Sequence, residues 1–158
     1  MPNHDQLHRQ TWGVLPFLAV GAGCVIAGGF VAAITAHAPT EHASWAAAYL
    51  VLIAGVAQVA LGVGQALLVR RPPRPGLVVG EFVTWNLGNA AVIAGTVAGL
   101  TPVTGAGGAL LIVALVLFLV GVRNPQRARW LPVVYRTLIV IVLASIPVGL
   151  VLAEVRPR

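Results

Sequence analysis

Lysine is absent from this chain, and acid nearly so: four Asp and Glu stand against ten basic residues, every one of them arginine. Only 9% of residues are charged and 58% are apolar, whereas a soluble domain carries roughly 25% and 45–50%. The single cysteine, Cys24, excludes an intrachain disulfide and leaves the redox compartment unread. Nucleotide-binding loops, Cys-x-x-Cys pairs, His-Glu-x-x-His and Ser–His–Asp sets are missing too, so no familiar catalytic or cofactor motif is in view. A lysine-free chain rich in Arg, Ala, Gly, Pro and Val reads as the product of GC-rich coding, which points to a bacterial source.

What the sequence does hold is long apolar runs, with a mean hydropathy of +0.91. A transmembrane helix needs about 20 largely apolar residues. Five runs qualify, over residues 12–36, 44–69, 78–100, 107–122 and 131–153. The expected fold is an all-α integral membrane protein, one polytopic domain of five helices over residues 1–158. Short gaps between runs make sequence neighbours antiparallel. The first run is about twice the length of a signal-peptide core and its flank is weakly basic, so it is read as a span despite the Ala36-His37-Ala38 site.

The net charge of +6 could suggest nucleic acid, but the arginines punctuate the apolar runs and do not share a polar face. One set of gaps holds Arg9, then Arg70, Arg71 and Arg74, then Arg123, Arg127 and Arg129; the other holds only Arg156 and Arg158. The positive-inside rule then places the N-terminus in the cytoplasm and the C-terminus outside, across the cytoplasmic membrane of a cell. Trp12 and Trp130 fall at the inner interface and Trp45 at the outer one. The lipid bilayer is the first expected partner, with anionic headgroups meeting the arginine loops at about 1 kcal/mol per residue.

Glycine and proline mark how the spans meet. Gly21, Gly23, Gly28 and Gly29 lie in the first span, Gly55 and Gly62 in the second, and Gly88, Gly95 and Gly99 in the third. Small residues let helices approach closely in lipid, where little hydrophobic drive exists between them. Gly95 and Gly99 are read as a G-x-x-x-G packing pair. Pro16 and Pro147 are expected to bend or open their helices. Assembly through these Gly-rich faces, into a homo-oligomer or a larger membrane complex, is the leading functional expectation: a non-enzymatic membrane subunit.

The candidate site is an intramembrane polar cluster: Gln58, Gln65, Glu81, Asn86, Asn89 and Arg136. If the second and third spans pair antiparallel, Gln58 lies level with Asn89 and Gln65 with Glu81, each able to hydrogen-bond its counterpart. Glu81, Trp85 and Asn89 recur every fourth residue and share one helix face. Arg136 enters at the depth of Glu81, so an ion pair or snorkelling to the headgroups is expected. Glu81 is the only acid inside a run. It reads as a packing residue first, and as the carboxylate of a small proton- or cation-coupled transporter second.

His37, Glu41 and His42 flank the first outer loop and supply imidazole and carboxylate within six residues. They could hold copper, or offer an axial ligand to haem, at the outer surface of a redox-type subunit. Against that, Thr40 and Glu41 also read as the cap and first turn of the next helix. His4, Asp5 and His8 precede the first span and read as a polar tail.

Overall fold

The computed structural model describes residues 4–69, 73–122 and 130–155, the side chains of 4–12 and 145–155 excepted. Among the described residues the chain is helical throughout, with no strand. Four stretches are long and apolar enough to cross a membrane: Gly13–Ile34, Glu41–Leu68, Pro75–Val97 and Thr101–Gly121. A shorter apolar helical stretch follows at Trp130–Ala144. The chain divides into two compact units, Met1–Leu67 and Leu68–Arg158.

In the first unit α1 (His4–Ile34) runs through Pro16 and packs on a second rod. That rod begins as α2 (Glu41–Tyr49), widens into a π-helical segment (Leu50–Ala57), and returns to α-helix as α3 (Gln58–Leu68). The residues expected as a polar tail from His4 are helical and continuous with α1. Thr40 caps α2 as expected, its Oγ1 accepting from Ala43 N at 3.2 Å.

The two rods run antiparallel and meet backbone to backbone. A methyl added at Gly21 would lie 2.6 Å from Val59 Cγ2 and 3.0 Å from the Gly55 carbonyl. At Gly28 it would lie 2.8 Å from the Ala47 carbonyl, and at Gly62 2.7 Å from Phe17 Cβ. The seam on the second rod therefore steps by four through Ala47, Val51, Gly55 and Val59. On a regular α-helix each step of four overshoots a full turn by about 40°, so three steps would carry the seam well off α1. The wider turns of Leu50–Ala57 offset that drift and keep the line facing its partner.

In the second unit α4 (Pro75–Val97) and α5 (Thr101–Gly121) form a tight antiparallel hairpin, followed by α6 (Trp130–Val155). The hairpin turn is a Schellman motif. Leu100 N donates to Gly95 O at 2.7 Å and Gly99 N to Thr96 O at 3.3 Å, around Gly99 at φ +67°. Gly99 is thus a turn residue, and the expected Gly95–Gly99 packing pair is corrected: Gly95 alone meets the other helix, at Thr104. The segment 101–106, expected as loop, is the start of α5. Pro102 fits a helix's first turn, and Gly107 and Gly88 let the two backbones touch.

Ile26, Phe30, Val79, Leu87, Val113 and Ile141 are among many large aliphatic and aromatic side chains left exposed.

Candidate functional site

Glu81, Trp85 and Asn89 are carried on the buried face of α4. Glu81 has no exposed surface, Trp85 1% and Asn89 3%, in line with Gly88 and Gly95. The helix places them there because four residues advance the chain about 6 Å with little rotation. Facing them, α5 contributes a purely apolar stripe that includes Leu111, Ala114, Leu115 and Phe118. Trp85 and Phe118 meet edge to face, 6.4 Å between centroids at 85°. This ring contact fixes the indole and, with it, the direction of its N–H.

Hydrogen bonding along α4 is largely turned inward. Thr84 Oγ1 donates to Gly80 O at 2.6 Å, Asn86 Nδ2 to Phe82 O at 2.8 Å, and Asn89 Nδ2 to Trp85 O at 2.9 Å. Such bonds return a side-chain donor to the carbonyl one turn back. Asn89 thus commits one of its amide hydrogens to its own helix. Its Oδ1 and Trp85 Nε1 are buried with no hydrogen-bond partner among the described residues. Asn86 is only half-buried and belongs to another face of α4.

On α6 the neighbour of Glu81 is Tyr135, 7% exposed, whose phenol feels the carboxylate's charge. The sequence reading passes over Tyr135. It lies one residue from Arg136 within an apolar run, and the arginine draws attention first. Arg136 itself is exposed and sends Nη2 to Val122 O at 3.1 Å. The ion pair expected with Glu81 is corrected to a cap on the C-terminus of α5, where a cation meets the unpaired carbonyls and the negative end of the helix dipole.

In the first unit Gln58 is fully buried at the junction of the π segment and α3, and Gln65 is buried two turns on. Neither Nε2 nor Oε1 of Gln58 has a hydrogen-bond partner among the described residues. Leaving such an amide group unmet costs about 1–3 kcal/mol.

At the far end of the same unit His37 lies in the turn after α1, while Glu41 and His42 open α2; all three side chains are exposed. Among the described residues no three His, Cys, Asp or Glu side chains come together as a metal-holding group, these three included. Among the described residues, the ridge on α4 thus brings an acid and the unpartnered buried atoms of Trp85 and Asn89 onto one helix face. Comparison with known protein families, characterised proteins and solved structures finds no match to this chain.

Proposed function

We propose that the chain is a five-span protein of a bacterial cytoplasmic membrane, N-terminus inside and C-terminus outside, and that it acts as a non-enzymatic subunit assembling with a second copy of itself. The fifth crossing is assigned to α6, whose 26 residues reach about 39 Å, more than the ~30 Å of a bilayer core. Orientation rests on the arginine asymmetry between alternate gaps.

One observation supports assembly. The packing glycines Gly21, Gly28, Gly55, Gly62, Gly88, Gly95 and Gly107 are already occupied within their own units. By contrast Ala19, Gly23 and Ala27 form an exposed small-residue line on α1, and a methyl added at Gly23 meets nothing within 4 Å. Small residues at every fourth position on a lipid-facing surface suit close approach of another helix.

The test is the mass of the full chain in lipid nanodiscs, with Gly23→Leu as the probe. The wild type is expected to be oligomeric, and the variant to associate at least about tenfold more weakly, equivalent to roughly 1.4 kcal/mol. A monomeric wild type, or an oligomer indifferent to Gly23→Leu, contradicts the reading.

A further inference from the structure

We propose that the buried ridge of α4 binds water and that Glu81 exchanges a proton through it. The inference is independent of assembly through α1.

Trp85 and Asn89 define the ligand. The indole Nε1 can only donate, so it needs an acceptor. Asn89 Oδ1 can only accept, so it needs a donor. The two residues are buried on one helix face, one turn apart, and neither atom has a partner among the described residues. A bare cation would suit Oδ1 and the Glu81 carboxylate but leave the indole N–H unmet. An anion would suit the N–H but would face two oxygen acceptors. Water does both at once, accepting from Trp85 and donating to Asn89. Buried waters are found where polar groups are otherwise left over.

Glu81 lies one further turn along the same buried face, which places the carboxylate-bearing residue next in line after Trp85. The exchange is simple in its balance. A protonated water gives its proton to a Glu81 carboxylate oxygen, leaving neutral water and a carboxylic acid; the reverse step returns the proton and the charge. No other bond forms or breaks.

The surroundings within this unit suit a group that changes charge. α4 itself carries no other titratable side chain, and α5 carries none at all. From α6 come Tyr135, whose phenol feels the carboxylate, and Arg136, which is held at the Val122 carbonyl.

The experiment is infrared difference spectroscopy on the full chain in lipid nanodiscs, stepped through pH. With only four acidic side chains in the sequence, the carboxylic-acid carbonyl region is sparse enough to assign. A titrating band absent from Glu81→Gln is expected. Trp85→Phe, which keeps the ring and removes the N–H, should shift that band and abolish an internal-water band that moves on exchange into heavy-oxygen water. Asn89→Leu should act in the same direction. A band unchanged in Glu81→Gln overturns the proton-exchange claim. A Glu81 band and water signal indifferent to both Trp85→Phe and Asn89→Leu overturns the water site. An amide I band in Trp85→Phe and Asn89→Leu equal to that of the wild type shows that the bundle is folded, so that loss of the water band reads as loss of the site.

Discussion

A methyl group placed on Gly107 would come within 2.7 Å of Val92 N and 2.8 Å of the Gly88 carbonyl, backbone atoms that cannot step aside without opening the hairpin. Gly107→Ala is therefore expected to destabilise the α4–α5 pair by about 1–3 kcal/mol, read as a lower midpoint of denaturant unfolding in detergent micelles. Gly105, two residues earlier on the same helix, meets nothing within 4 Å. There alanine should be neutral or stabilising by about 0.5–1 kcal/mol, since glycine in a helix interior carries an entropic cost. Equal losses at both positions would refute the packing argument. Arg136→Gln removes the cation from the α5 terminus and should cost about 0.3–1 kcal/mol by the same assay, diminishing in high salt. At this scale the sequence is half legible. That Gly88 and Gly95 pack was readable from their place in an apolar run; that Gly99 turns was not, because small residues serve both purposes and only φ separates them. Glu81, Trp85 and Asn89 were readable as one ridge from spacing alone. Tyr135 was not, since its place beside Glu81 depends on how α6 returns to α4.

Among the elements, the π segment has the largest mechanical consequence. It keeps Ala47, Val51, Gly55 and Val59 on one seam, so its length is part of the fit between α1 and the second rod. Deleting the exposed Leu52 should turn either Ala47 or Gly62 about 100° away from α1. The expected result is a loss of stability well beyond that of Leu52→Ala, which leaves the register intact. Similar stability of the two variants would mean the wide turns are not what aligns the seam. The sequence could not announce this segment: LVLIAGVA is apolar on every side, so it has no periodicity from which a turn width could be read. The early start of α5 was hidden for a different reason. Thr, Pro and three Gly within 101–108 carry turn chemistry, yet proline suits the first helical turn and Gly107 lies where α4 approaches.

For the whole molecule, composition carries the most weight. Among the described residues, four apolar helices long enough to span a bilayer, with large aliphatic side chains left exposed, follow from a chain with so little charge. The direction in which it is threaded is a proposal that rests on arginines. Every depth assigned to a residue depends on that direction, including whether Glu81 lies nearer the cytoplasm. The lone Cys24 makes it directly measurable. In a Cys24→Ser background, single cysteines at Asn3, Ala38, Asn124 and Pro157 can be probed with a membrane-impermeant maleimide on intact cells. Five crossings with the N-terminus inside predict labelling at 38 and 157 from outside, and labelling at 3 and 124 only after the membrane is opened. Termini labelled from the same side would contradict the five-span account, and the reverse pattern would overturn its orientation.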